Sequence, residues 1–254
     1  MNEDLPGVLR PHFASRRVGA LMSTRAGGVS CGVFDSLNLG TAVGDDAARV
    51  AENRARFARA LGAAPTFLKQ VHGRRVVRLP TTEPLPEADV CVTTEPGVAC
   101  VIQVADCLPV LLAAPEARGV AAAHAGWRGL AGGVLEAAVQ ALCDAAGCAP
   151  AEVEAWLGPC IGPRRFEVGA DVLEGFGLAP GTTHPRFVPQ AGGKWLADLP
   201  GLARDRLQAL GVARVDGGIW CTVEDASRFF SFRRDRPLHG NSGRLAAAIW
   251  ITAA

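Results

Sequence analysis

The chain has 254 residues, of which 49% are apolar and 20% charged, and its formal net charge is +1 at pH 7. That is enough length for one large domain or two small ones and enough apolar matter for a sizeable core, which argues against intrinsic disorder. So balanced a charge gives no reason to expect nucleic acid or an anionic membrane surface as a partner.

The opening MNEDLPGVLR is acidic and carries no apolar run. It does not read as a signal peptide, so a cytoplasmic protein is expected, with residues 1–16 an irregular N-terminal segment of a single domain spanning 1–254. Residues 18–23 read as a strand, followed by a Gly-rich loop, TRAGGVSCG. Asp45 or Asp46 is placed to cap a helix running to about Leu61, with Val50, Phe57 and Leu61 on one face and Gly62 and Pro65 as stops. Short apolar runs over 66–71, 74–79, 89–93, 99–104, 109–114 and 119–124 read as strands. The most apolar stretch, 98–114, is broken by Gln103, Asp106 and Pro109, so it reads as two buried strands and not as a membrane span. Leu130, Val134, Ala138 and Leu142 predict a helix over 129–146 that Gly147 ends. A strand over 153–157, a helix over 199–210 and strands over 229–233 and 245–251 follow. This order of elements implies a layered α+β domain.

The eight cysteines stand at 31, 91, 100, 107, 143, 148, 160 and 221. In a long chain without an export signal they are expected as thiols, and Cys91, Cys100 and Cys143 lie in apolar runs as small core residues. No C-x-x-C pair is present, which excludes zinc ribbons and thioredoxin-like motifs. Dinucleotide and phosphate-loop fingerprints are absent too.

Three segments carry polar groups that burial does not explain: KQVHG (69–73), ADCLPV (105–110) and AAHAGWRG (122–129). Each sets a His or Cys at the end of an apolar run beside a turn residue, where sheets build sites. Two imidazoles and a thiolate, His72, His124 and Cys107, suit a zinc ion whose fourth position stays open, the catalytic pattern. The competing reading makes His124 a satisfied core histidine and Cys107 an inert buried thiol. Against it, Asp106 and Arg128 are costly neighbours to bury without a role. Arg128 precedes the expected helix and suits an anion at its N-terminus, although a surface salt bridge explains it equally well.

The motifs STRAGGVS (23–30), SLNLG (36–40), QVHG, ADCLPV, HAGWRG, WLGPCIGP (156–163), FEVG (166–169) and FFSFRRD (229–235) occur in order along nearly the whole chain. In them the sequence resembles the family labelled polyphenol oxidase, laccase domain, also called the YfiH-like or peptidoglycan-editing-factor family. The resemblance implies an α/β/β/α domain related in architecture to bacterial cysteine-hydrolase toxins, with zinc on His72, Cys107 and His124. It also implies a purine nucleoside phosphorylase that splits adenosine, inosine, guanosine or methylthioadenosine with phosphate and deaminates adenosine. Zinc lowers the pKa of a bound water, which suits deamination, although the H-x-E and P-C-x-x-C signature of cytidine-type deaminases is missing.

On this reading Cys107, His124 and Arg128 are the catalytic candidates. The chain has only two lysines, Lys69 and Lys194, so arginine must supply the phosphate site; Arg25, Arg128 and Arg233 are the candidates. Asn38 and Gln70 are candidates for hydrogen bonds to ribose or base, and Trp127 either stacks on the purine or packs. The expected partners are nucleoside and phosphate, with no nucleic acid or membrane and a monomer favoured. Three other readings use the same residues. One Cys and two His suit a blue-copper site, but a multicopper oxidase needs many more imidazoles than five histidines supply, His12, His184 and His239 being the others. A Cys–His hydrolase would use Cys107 as nucleophile, and a cell-wall editing factor would act without catalysis.

Overall fold

The computed structural model describes residues 5–253. In chain order it contains β1 (Val18–Met22), α1 (Ala47–Leu61), β2 (Ala64–Thr66), β3 (Val76–Leu79), β4 (Val90–Thr93), β5 (Val98–Val104), β6 (Leu108–Ala113), β7 (Val120–Ala125), α2 (Trp127–Ala131) and α3 (Val134–Ala146). Next come β8 (Glu154–Leu157), β9 (Glu167–Val168), α4 (Ala170–Gly175), β10 (Phe187–Gln190), β11 (Lys194–Ala197), α5 (Leu199–Ala209), β12 (Arg214–Gly217), α6 (Phe232–His239) and β13 (Leu245–Ile251).

Two sheets carry the fold. One has the order β1-β13-β5-β2, the other β12-β8-β6-β7-β4-β3, and β10-β11-β9 form a small third sheet. The residues of β6, β7 and β13 are buried throughout, as strands covered on both faces must be. Period-two alternation divides β5 between two environments: Cys100, Ile102 and Val104 point into the space between the sheets, Ala99 and Val101 outward. The inner layer joins Met22, Ile102 and Ile249 of the first sheet to Leu111, Ala122 and Trp156 of the second. Helix α1 covers the outer face of the first sheet through Phe57 and Leu61. Helices α3 and α5 cover the outer face of the second through Leu135, Leu142 and Leu207. The layers are α/β/β/α, as expected. Among the described residues no helix is long and apolar enough to cross a membrane.

Several boundaries differ from the sequence reading. Asp46 caps α1, accepting from the Arg49 N–H at 2.9 Å. The run over 66–71 is a strand only as far as Thr66; beyond it the chain is irregular up to His72 except for a bridge between Lys69 and Glu87. The helix expected over 129–146 starts at Trp127 and breaks at Gly132 and Gly133, the latter with φ 93°. The strand expected over 229–233 does not form. Phe229 and Phe230 fill the inner layer without pairing, and Ser231 caps α6 by accepting from the Arg234 N–H. Residues 5–16 are irregular except for a bridge between Leu9 and Met22; residues 1–4 lie outside the described residues.

Candidate metal centre

The three expected ligands come from different parts of the fold and meet at one end of the six-stranded sheet. His124 is held in β7, opposite Pro109 of β6. Cys107 is the last residue before β6. Asp106 before it adopts φ 88°, and its carboxylate accepts from Thr222 Oγ1 at 2.5 Å and from the Arg233 backbone N–H at 2.6 Å. His72 stands in the loop before β3 with φ 62°. A left-handed backbone at two non-glycine residues costs energy that the surroundings must offset, a pattern that clusters at functional sites.

One ligand atom from each of His72, Cys107 and His124 lies within 4.8 Å of the others, and among the described residues this is the one group of three or more His, Cys, Asp or Glu so arranged. Cys107 Sγ is 3.8 Å from His72 Nε2, and the two imidazole rings meet edge to face with centroids 4.7 Å apart. The donor set suits zinc: metal–ligand bonds of about 2.0–2.3 Å at tetrahedral angles separate ligands by this order of distance. Close packing supports the fit. A Cβ on Gly126 would lie 2.8 Å from His72 Cδ2 and 3.1 Å from Cys107 Sγ, so only glycine leaves room for the ligands here. The cluster provides no ligands for a second or third metal ion, as a multicopper oxidase would need.

The electrostatics prepare the thiol for a metal. Burial pushes the Cys107 thiol up, but the adjacent positive charge and hydrogen bonds of His124 and His72 outweigh it and lower its pKa to about 6. Burial likewise opposes protonation of His124, yet the Cys107 thiolate and the Asp89 carboxylate raise its pKa to about 9. The two shifts are reciprocal, each group favouring the charged form of the other.

His72, Cys107 and His124 open onto a cavity of about 420 Å³. It is also lined by Gln70 and Gln103, and by Arg54 and Arg244, which the sequence reading did not single out. Arg54 donates to the Leu39 carbonyl at 2.9 Å and to Gln103 Oε1 at 3.4 Å, and it stacks on Phe67 at 3.9 Å. Arg244 donates to the Ser242 and Gly243 carbonyls. Among the described residues neither makes an ion pair. Burial holds both guanidinium pKa values below the usual range, in Arg244 against the pull of Cys107 and Asp106.

The arginines expected at the phosphate site do not converge. Arg25 is tied to the Asp35 and Ala226 carbonyls over the Phe230 ring, away from this cavity. Arg128 is exposed on the Trp127 ring, 4.2 Å from its centroid. Arg233 lies in α6, not after a strand; it reaches the Glu167 carbonyl and lines a second cavity of about 150 Å³, together with Cys107, Trp127 and Phe166. Asn38 is fully buried and its amide is spent on Gly40, Asp45 and Arg244, a knot that holds a loop. Gln70 lines the main cavity, but its amide is engaged with the backbone N–H and carbonyl of Gln103.

A layered α+β chain with one open Cys–His–His ligand group is the class that fold and site define. The chain belongs to the family described as multi-copper polyphenol oxidoreductase laccase, which it matches over residues 19–252. It is 48% identical over 239 residues to a purine nucleoside phosphorylase of Pseudomonas aeruginosa, covering 94% of this chain and 95% of that one. It is 46% identical over 238 residues to the purine nucleoside phosphorylase YfiH of Escherichia coli, covering 92% and 94%. Among solved structures, YlmD from Geobacillus stearothermophilus superposes with a TM-score of 0.89 at 32% identity, covering 99% of this chain and 98% of that chain.

Proposed function

We propose that this chain is a zinc-dependent purine nucleoside phosphorylase that also deaminates adenosine. The observation that carries the phosphorylase reading is the pair Arg54 and Arg244, two half-buried guanidinium groups that make no ion pair among the described residues, in the cavity that the candidate metal ligands face. A half-buried guanidinium that makes no ion pair has charge to offer a ligand, and a phosphate dianion in the cavity would pair with both. The names of the relatives point the same way, and so does their identity to this chain.

In this mechanism Arg54 and Arg244 hold phosphate against the sugar, and the cavity walls keep water from competing for it. His72, Cys107 and His124 would hold the zinc ion, which would supply Lewis acidity beside the reacting centre. Gln103 holds its side chain between the Leu39 carbonyl and Arg54 and so orients that guanidinium. The glycosidic C1′–N bond breaks, a phosphate oxygen bonds to C1′, and the proton that the hydrogen phosphate loses goes to the departing base. The test is product analysis on a panel of purine nucleosides with and without inorganic phosphate. Free base and ribose 1-phosphate should form in equal amounts and only with phosphate present; adenosine should also give inosine and ammonia. Release of free ribose would point to a hydrolase instead.

One observation favours a second reading, a Cys–His hydrolase. Asp89, His124 and Cys107 form a carboxylate–imidazole–thiolate series, with His124 Nδ1 2.8 Å from Asp89 Oδ1. Metal content decides between the two, because a thiolate on zinc is not free to attack.

A further inference from the structure

We propose that Asp89 is the positioning residue of the metal centre, a single carboxylate that sets both imidazoles. The proposal rests on the metal reading above. Asp89 is fully buried, one residue before β4. Its carboxylate receives four donors. Oδ2 accepts from the backbone N–H groups of Val71 at 3.1 Å and Gly73 at 2.7 Å. Oδ1 accepts from the His72 N–H at 2.9 Å and lies 2.8 Å from His124 Nδ1. Burial would raise the carboxyl pKa, but the bonds from His124 and Gly73 outweigh it and hold it below the usual carboxylate range.

Each bond has a consequence for the ligands. Three successive N–H groups bound to one carboxylate fix residues 71–73, including the left-handed backbone of His72, which no sheet pairing holds. The fourth fixes the His124 ring and its tautomer. With the proton on Nδ1, Nε2 keeps its lone pair for a metal. The Asp89 main chain takes part as well, since its carbonyl accepts from the His124 N–H at 2.8 Å. Asp89 also balances charge: one carboxylate and the Cys107 thiolate together neutralise a divalent ion. The same loop brings Lys69 and Gln70 to the cavity wall, so Asp89 joins the metal centre to the substrate cavity.

Asp89→Asn is the informative substitution. It keeps the shape but replaces one acceptor oxygen by an NH₂ group that faces N–H donors. To accept from that amide at Nδ1, His124 would have to move its proton to Nε2, the nitrogen the metal needs. Zinc affinity, measured by competition with a chromophoric chelator, should fall by about 10- to 100-fold. Amide hydrogen exchange at Val71, His72 and Gly73 should speed up in the variant with zinc present, and stay slow in the wild type even after zinc is stripped. Thr93→Val is the control for stability alone: Thr93 is also buried, at the far end of the same strand, and bonds the Leu79 carbonyl. It should lower Tm and leave zinc affinity unchanged.

If Asp89→Asn does not fold, the zinc-loaded wild type still decides, because ¹⁵N spectra of its imidazoles should show His124 with a slowly exchanging proton on Nδ1. Zinc affinity unchanged in Asp89→Asn, or a His124 proton on Nε2, overturns the proposal while the metal reading stands. A wild type that takes up no zinc overturns both.

Discussion

Cys100 lies within β5 and Cys107 in the connection from β5 to β6, which belong to different sheets, and the two cysteines show how little burial alone decides. Cys100 is enclosed in the inner layer of β5, and burial, reinforced by Cys91, pushes its thiol well above the ordinary value. Cys107, seven residues on, is only partly buried and faces a cavity, and there two imidazoles outweigh the burial that remains and bring its pKa down to about 6. The residue type and the apolar run around it are shared; the neighbours differ. In this fold the inner layer packs, and chemistry starts where the strands end and polar groups from three segments converge.

The contrast can be broken most severely at the thiol itself. Cys107→Ala should drop zinc content from about one per chain to near zero and nucleoside cleavage to background, by elemental analysis and rate assay. Cys100→Ala should keep both and lose only stability, since it removes one buried packed atom. Next in size is loss of an arginine from the cavity. Arg244→Ala or Arg54→Ala should cost about 2–4 kcal/mol of transition-state stabilisation, roughly 30- to 1000-fold in kcat/KM for phosphate, with zinc retained. Arg128→Ala, at an exposed position outside the cavity, should stay within a few-fold of wild type. Equal losses at Arg128 and Arg244 would show that the anion site has been misplaced.

Gly126→Ala is smaller again. Its Cβ would press on His72 and Cys107, so we expect weaker zinc binding and a stability loss of about 1–3 kcal/mol, read by chelator competition and denaturant melts. The mildest test changes pH alone. In metal-free protein, iodoacetamide should modify Cys107 at a rate that rises through a midpoint near pH 6, because the thiolate is the nucleophile and its fraction grows with pH. Cys100 should stay unmodified while the protein is folded. Peptide mapping separates Cys107 from the exposed Cys31. A Cys107 midpoint near its ordinary value would remove the special environment.

The Cys–His–His group was legible in the sequence because His72, Cys107 and His124 are polar interruptions at the ends of apolar runs, each beside a turn residue. The layers were legible from the same runs, since β5, β6, β7 and β13 are long and α1 and α3 have one apolar face. The arginines of the cavity were not. Arg54 sits in α1 at a position that reads as an ordinary solvated helix face, and only the Leu39 carbonyl and Phe67, brought in by the tertiary fold, turn it inward. Arg244 carries no local signal either; its place follows from the start of β13. Asp89 looked like a polar residue bounding a strand, and its four partners come from residues 16 to 35 positions away. The run FFSF was read by its apolarity as a strand, while the Ser231 cap was the better guide. The paired glycines 132 and 133 were a readable break that the helical spacing on either side masked.

The central claim is that the Cys–His–His group works as a metal centre and not as a free nucleophile with its base. Stepwise reconstitution tests it most directly: strip the protein with a chelator, add zinc in substoichiometric steps, and measure inosine cleavage at saturating phosphate. The account requires negligible rate without zinc and a linear rise that levels off at one zinc per chain. Full activity in the stripped protein, abolished by alkylation of Cys107, would contradict it.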